Sequence, residues 1–163
     1  MTNTTHFDPE HVFTPLLNMS FSQLIQPDVN FSAFETVNTI LPVRDVSSMI
    51  SLTGPVSVML LLSLDHSLAW QVMTSEVKAL GLEENEEMLD AVLGEITNII
   101  GGNATASLSY AGQPVHLSLP MIMRTASLRP GVSKVSIQKS SLSHPAGILD
   151  VYCVTPAIPG IIG

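Results

Sequence analysis

The stretch DAVLGEITNIIGGNATASLSYAGQPVHLSLP, residues 90–120, decides the fold, because a helical pattern in it passes directly into strand patterns. At about 100° per residue, one face of a helix predicted over residues 84–100 collects apolar side chains. These side chains are Leu89, Val92, Leu93, Ile96, Ile99 and Ile100. Glu95 and Asn98 fall on the opposite face, so the sequence predicts a helix that rests on a core and shows two polar side chains to solvent.

Glu95 and Asn98 are the candidate functional residues of the chain. Residues three apart on a helix are neighbours, so a carboxylate and a carboxamide stand side by side. Three flanking residues have little or no side chain, and we predict that they leave room for a binding partner: Ala91, Gly94 and Gly102. The residues alone also allow both polar side chains to be ordinary helix surface, with Asn98 helping to end the helix.

The spacing Glu-x-x-Asn also occurs at Glu35 and Asn38, so the spacing by itself is weak evidence. The context of the pair at residues 95 and 98 is more specific. Gly101 and Gly102 predict the C-cap of the helix. The elements predicted after it are a strand over residues 104–110, a turn at 111–112, and a strand over 114–119 that ends at Pro120.

The rest of the chain predicts a second unit built from a helix and strands. Helices are predicted over residues 29–41 and 65–80, and strands over 46–53, 56–63, 133–139 and 148–155. Residues 1–27 are interpreted as an N-terminal extension containing a turn of helix or a strand, residues 28–155 as a single domain, and residues 156–163 as a tail.

Composition narrows the classes of function. With 163 residues, 45% of them hydrophobic, the chain can build one domain with a real core. A net charge of −8 with six Lys and Arg argues against a nucleic-acid partner. No apolar run is long enough to span a bilayer and no secretion leader is visible, so a cytoplasmic protein is expected. The single cysteine, Cys153, lies in an apolar run and is predicted to be a buried core thiol.

Three segments of the sequence resemble one family, the CheC, CheX and FliY class of chemotaxis phosphatases, and within it the CheX-like domain. The resembling segments are GEITNIIGGNA at residues 94–104, VHLSLPMI at 115–122 and SLTGPVSVMLLLSLDHSLAW at 51–70. The likeness extends over about residues 30–155. It implies an α/β (α+β) fold in which two pseudo-repeated units of a helix and strands form a mixed or antiparallel sheet, with the helices packed on it.

The same resemblance implies a function. Members of this class remove the phosphoryl group from the aspartate of a CheY-type response regulator, and Glu95 and Asn98 match their catalytic pair. In that role Asn98 orients the attacking water and Glu95 pairs with a lysine of the partner, while Pro120 matches a more distant proline of the motif. The resemblance also implies a bacterial homodimer. No metal or cofactor is expected in this chain, because the divalent metal belongs to the response regulator.

Two departures from the family pattern keep alternatives open. The family often has Asp or Ser four residues before the catalytic Glu, but this chain has Ala91, and Asp90 lies about 100° round the helix. An inactive CheX-like adaptor that binds a receiver or a motor protein is therefore a second hypothesis, and a structural relative that pairs only with itself is a third. The pair Glu35 and Asn38 lacks a matching proline near residue 60, so we expect a coincidence or an inactive relic.

Overall fold

The computed structural model describes residues 7–26, 28–38, 41–109, 113–124, 127–128 and 134–156. Three α-helices form in this part of the chain: α1 Pro9–Ser22, α2 His66–Val77 and α3 Glu86–Leu108. A single 3₁₀ turn, Lys78–Leu80, follows α2. Nine strands form in the same residues: β1 Glu35–Thr36, β2 Leu41–Pro42, β3 Val46–Thr53, β4 Val58–Leu64, β5 His116–Leu117, β6 Met121–Met123, β7 Ser127–Leu128, β8 Val135–His144 and β9 Gly147–Pro156.

Seven of these strands form one sheet in the order β1-β8-β9-β4-β3-β5, with β6 also paired to β3. Every pair of neighbouring strands in the described residues is antiparallel, including β2 and β7, which form a separate two-stranded sheet. The helices pack on the large sheet. The predicted class, an α/β (α+β) fold with helices on a sheet, is confirmed.

The main core lies between the helices and one face of the sheet. Alternate residues of β4 and β9 enter it, as expected for strands whose side chains point to opposite faces in turn. Cys153 is one of them and is 2% exposed. Burial raises the pKa of its thiol, so the prediction of a buried core thiol is confirmed. No helix in the described ranges is long and apolar enough to cross a membrane.

The helix α1 contributes to this core although it lies in the N-terminal extension. Asp8 caps it by accepting a hydrogen bond from the backbone N–H of Glu10 at 3.1 Å, and Pro9 occupies the first turn, where its missing N–H costs nothing. Phe13 and Phe21 are fully buried, and α1 packs against α3. The predicted turn of helix is thus a helix of 14 residues.

The helix predicted over residues 29–41 is wrong. This segment is extended, with β1 and β2 in it, and residues 39–40 lie outside the described ranges. Its backbone finds partners on β8: the N–H of Ser32 donates to the carbonyl of Ser141 at 2.9 Å, and the hydroxyl of Ser140 donates to the carbonyl of Ser32 at 2.6 Å. Phe31 and Phe34 pack against the core from this extended backbone, so their spacing of three residues does not indicate a helix.

The end of α3 is also different from the prediction. Gly101 and Gly102 lie inside the helix, which continues to Leu108, so the predicted C-cap and the strand over residues 104–110 are wrong. A Cβ placed on Gly101 would lie 3.2 Å from side-chain carbons of Ile50 and Leu117. The glycine therefore serves close packing of helix on sheet rather than helix termination. The turn predicted at residues 111–112 lies outside the described residues, and the strand predicted over 114–119 is only β5.

Other boundaries follow the sequence closely. β3 has the predicted bounds, and β4 and β9 differ from theirs by one or two residues. The helical segment that begins at His66 stops at Gly81, whose φ of 65° is the left-handed conformation that favours glycine. The helix α3 packs against β3, and the candidate site lies on the exposed side of this helix.

Candidate functional site

The helix α3 begins with an N-terminal cap at Asn85. The side chain of Asn85 accepts a hydrogen bond from the backbone N–H of Met88 at 2.8 Å, and Glu86 and Glu87 occupy the first turn. Acidic residues at this end complement the helix dipole. The helix starts at Glu86, two residues after the predicted start at residue 84. The cap and the acidic first turn stabilise the end of α3 that precedes Glu95 and Asn98.

A buried polar contact fixes α3 against the sheet. Thr97 and Ser48 of β3 are both fully buried, with their hydroxyl oxygens 2.6 Å apart. Thr97 also lies 2.7 Å from the backbone carbonyl of Leu93. Because a hydroxyl carries one proton, Thr97 donates to only one of these two acceptors at a time, and the hydroxyl of Ser48, which lies 3.5 Å from the same carbonyl, donates to the acceptor that remains. This contact sets the rotation of the turn that carries residues 95 and 98.

Glu95 and Asn98 are both exposed on the side of α3 turned away from Thr97. They line an open groove between α3 and the segment that leads into β6. The groove is lined by Asp90, Ala91, Gly94, Glu95, Asn98, Leu119, Pro120 and Ile122. A carboxylate, a carboxamide and a proline thus line one surface depression, and both polar side chains are exposed to solvent.

The small residues near this pair have three different environments. Ala91 is exposed in the groove. Gly94 is buried, and a Cβ placed on it would lie 3.7 Å from Pro120. Gly102 is half-buried, with open space where a Cβ would project. Their contact with a partner stays a prediction. The core position predicted for Ile99 is wrong, because its side chain is 46% exposed.

An ion-pair network connects α3 to the chain that follows β6, on the side of the groove opposite α3. The guanidinium of Arg124, which follows β6, donates to Asp90 at 2.6 Å and to Glu86 at 3.0 Å. The hydrogen bond to Asp90 is the main cause that raises the pKa of Arg124. His66 lies 2.5 Å from Glu86, and this hydrogen bond, followed by the one from Arg124, lowers the pKa of Glu86. All four side chains are solvent-exposed in part, so the network orients groups more than it stabilises the fold.

The other Glu-x-x-Asn pair forms no comparable site. Glu35 is in β1, in register with Lys139 of β8, and Asn38 follows in extended chain. Side chains three residues apart on an extended backbone point to opposite sides, so this carboxylate and this carboxamide are not neighbours. Within the ranges that the structure describes, no three His, Cys, Asp or Glu side chains come close enough to hold a metal ion.

Thr97, Ser48 and Arg124 were missed by the sequence reasoning. Thr97 had a signal, since it falls inside the apolar stripe of α3, between Leu93 and Ile100, where a polar side chain needs a buried partner. Arg124 is the first basic residue after a run from residue 79 to 123 without any Lys or Arg. Neither signal predicts which residue is the partner, because Ser48 is far from Thr97 in the sequence and Asp90 is far from Arg124.

The described residues thus combine an antiparallel sheet, a long helix packed on it, and an exposed Glu-x-x-Asn pair beside a proline. The family model described as chemotaxis phosphatase CheX matches residues 46–138, and the chain belongs to this family. The matched span covers β3 to the middle of β8 and includes the whole of α3. No curated protein matches the sequence.

Solved structures share the fold at low sequence identity. CheX from Desulfovibrio desulfuricans is 18% identical with a TM-score of 0.74, covering 88% of this chain and 96% of its own. The CheX–CheY–BeF3–Mg complex from Borrelia burgdorferi gives 19% identity, a TM-score of 0.73, and coverage of 92% and 98%. FliY from Thermotoga maritima is 17% identical with a TM-score of 0.60, covering 91% of this chain and 86% of its own. Each likeness covers about nine-tenths of this chain.

Proposed function

We propose that this chain hydrolyses the phosphoaspartate of a CheY-type response regulator, with Glu95 and Asn98 as its catalytic pair. The observation that carries the proposal is their joint exposure on α3, beside a groove that also contains Pro120. Membership of the chemotaxis phosphatase CheX family supports the same reaction. A structural relative from Borrelia burgdorferi forms a complex with CheY, which supports this class of partner.

In this proposal the chain positions water rather than forming a covalent bond. A water molecule attacks phosphorus, the bond between phosphorus and the aspartyl oxygen breaks, and inorganic phosphate leaves a free carboxylate on the receiver. Asn98 enters the partner's pocket and orients the water through its carboxamide, which can donate and accept hydrogen bonds without titrating. The divalent metal belongs to the receiver and neutralises charge that develops on the phosphoryl oxygens.

Glu95 has the second role in the proposal. Its carboxylate pairs with a lysine of the receiver, because a charge-assisted hydrogen bond to an ammonium group is stronger than a neutral one. The long acidic part of the sequence around it, which has no Lys or Arg from residue 79 to 123, also favours approach of a cationic patch. The proposal assigns this reaction to the cytoplasm of a bacterium, with the chain acting as a homodimer.

The decisive experiment measures phosphate release from phosphorylated receivers. Each CheY-type receiver of the source genome is phosphorylated with a small-molecule donor and mixed with the chain. We expect the wild-type chain to accelerate the loss of phosphate from at least one receiver, and Asn98→Ala to abolish the acceleration with unchanged thermal unfolding. Undiminished activity of Asn98→Ala would reject the assigned role.

A second candidate function is a non-catalytic adaptor that binds the receiver. The observation in its favour is Ala91, which is exposed in the groove and offers no polar side chain there. Binding to a receiver that carries beryllium fluoride, a stable mimic of the phosphoaspartate, separates the two functions. Tight binding without any change in the rate of phosphate loss identifies the adaptor, whereas binding together with acceleration identifies the phosphatase.

A further inference from the structure

A second groove lies on the other side of Glu95, between α3, the end of α1 and the turn that follows α2. It encloses about 390 Å³, which is within the range of ligand and side-chain binding sites. Seven large apolar side chains of the described ranges are exposed, and four of them line this groove. They are Met19, Leu80, Leu82 and Ile99, with exposed fractions of 50%, 66%, 48% and 46%.

This apolar groove is continuous with the groove that contains the candidate catalytic pair. Ala91 and Glu95 line both of them, so only the width of α3 separates the two. A folded protein that pairs with Glu95 therefore covers the edge of the apolar groove as well. A small acyl phosphate would reach Asn98 without contacting the apolar groove. A phosphorylated receiver and a small acyl phosphate therefore differ in whether they use the apolar groove.

The charge of the apolar groove limits what it can bind. Its lining contains two carboxylates, Glu76 and Glu95, and no Lys or Arg. Both carboxylates lie in exposed positions at the rim, and the floor is formed by apolar side chains such as Val92 and Ile96. An apolar centre with a polar rim is typical of protein–protein contacts, and this rim favours a cationic side chain next to the apolar ones.

We infer that this apolar groove binds the phosphorylated receiver itself, through apolar side chains of the receiver that are followed by a Lys or Arg paired with Glu76. The inference rests on the proposed function, because it takes the receiver as the partner that Glu95 contacts. It adds a division of roles: the apolar groove determines affinity for the receiver, and Asn98 determines the rate of hydrolysis. Burial of several exposed apolar side chains supplies the affinity.

The test compares a groove variant with a control on the opposite side of the sheet. Leu80→Ser with Leu82→Ser removes two exposed side chains that are not part of the core. We expect the KM for the phosphorylated receiver, and the Kd for the receiver carrying beryllium fluoride, to rise about tenfold, with kcat within twofold of wild type. Glu76→Gln should raise both constants by about threefold at low salt and less at high salt.

The matched control is Met121→Ser. Met121 is 57% exposed, and it pairs in register with Met49, whereas the neighbouring pair of Ser48 and Ile122 faces α3. Alternation along the strand therefore places Met121 on the face of the sheet away from α3. The Met121→Ser variant also loses exposed apolar surface, but its KM, Kd and kcat should be unchanged.

Each outcome bears on one of the two proposals. Unchanged KM and Kd in the Leu80→Ser/Leu82→Ser variant, while Asn98→Ala abolishes turnover, would overturn the groove inference and leave the phosphatase proposal standing. A change from dimer to monomer in light scattering, again with unchanged KM, would assign the apolar groove to a second copy of the chain and overturn the inference in the same way. Failure of wild-type chain to bind or dephosphorylate any receiver would reject both.

Discussion

The two Glu-x-x-Asn pairs of this chain have the same spacing but lie in different structures. Glu95 and Asn98 are on α3, where residues three apart are neighbours, and both are exposed beside a groove. Glu35 and Asn38 are on extended chain at the edge of the sheet, where the same spacing sends side chains to opposite sides. The spacing Glu-x-x-Asn therefore brings the two side chains together only where a helix carries it.

The support beneath the two pairs differs as well. On its buried side, the turn of α3 at residues 95–98 is held by the contact between Thr97 and Ser48. On the other side of the groove, Arg124 connects the chain after β6 to Asp90 of the helix. The segment that holds Glu35 and Asn38 is attached through backbone and serine hydrogen bonds to β8. Only the first arrangement holds a carboxylate and a carboxamide side by side at the surface.

The largest expected effect comes from removing each pair in turn. Glu95→Ala with Asn98→Ala should reduce receiver dephosphorylation by at least about a hundredfold, because both positioning groups are lost. Glu35→Ala with Asn38→Ala should leave the rate within twofold of wild type. Phosphate release at a fixed receiver concentration measures both. Similar losses in the two double variants would show that the helix is not what distinguishes the pairs.

Packing of α3 on β3 gives the next largest effect. Gly101→Leu should lower the free energy of unfolding by about 1–3 kcal/mol, because even a Cβ at this position lies 3.2 Å from Ile50 and Leu117. Gly102→Leu is the matched control: nothing lies near a Cβ there, and replacing glycine in a helix should stabilise by up to about 1 kcal/mol. Urea unfolding distinguishes them, and equal effects would contradict the close approach of helix and sheet.

The polar contact behind the turn that carries Glu95 and Asn98 has a smaller effect on stability. Thr97→Val should lower the free energy of unfolding by about 1 kcal/mol, because it removes a buried hydroxyl that is hydrogen-bonded to Ser48. Adding Ser48→Ala should recover part of this loss, since replacing both partners is nearly neutral. Urea unfolding of the two single variants and the double variant forms a cycle that measures the coupling. Purely additive losses would mean that the two hydroxyls do not interact.

The ion pairs of Arg124 should have the smallest effect. Arg124→Gln is expected to change the free energy of unfolding by less than about 1 kcal/mol, because its partners Asp90 and Glu86 are substantially exposed. The wall that carries Pro120 should be held less closely, and the rate of dephosphorylation should fall a few-fold at low salt. The rate of the wild-type chain at high salt should approach the rate of the variant. A rate that responds neither to Arg124→Gln nor to salt would show that Arg124 does not affect dephosphorylation.

Much of the fold could be predicted because local patterns and tertiary packing agree there. The alternation of β3, its turn at Gly54 and Pro55 and the stop at Gly81 are local properties, and the structure follows them. The prediction failed where a residue serves packing instead. Gly101 gives the signal of a helix end but lies inside α3 for close approach to the sheet, and Phe31 and Phe34 suggest a helix but reach the core from extended chain.

The candidate site could be predicted in part for the same reason. The exposure of Glu95, Asn98 and Ala91 follows from helical periodicity alone, and the structure confirms that exposure. The partners that support the site lie far away in sequence: Ser48 meets Thr97, and Arg124 meets Asp90. Such pairs depend on how strands and helices are arranged in space, which periodicity does not encode.

A single-turnover experiment tests the role of Asn98 most directly. Phosphorylated receiver is mixed with a saturating excess of wild-type or Asn98→Ala chain, and the first-order loss of phosphate is followed together with the concentration of chain that gives half-saturation. We expect a rate at least about a hundredfold lower for Asn98→Ala, with a half-saturation concentration within a few-fold of wild type. Equal first-order rates for the two chains at saturation would contradict it.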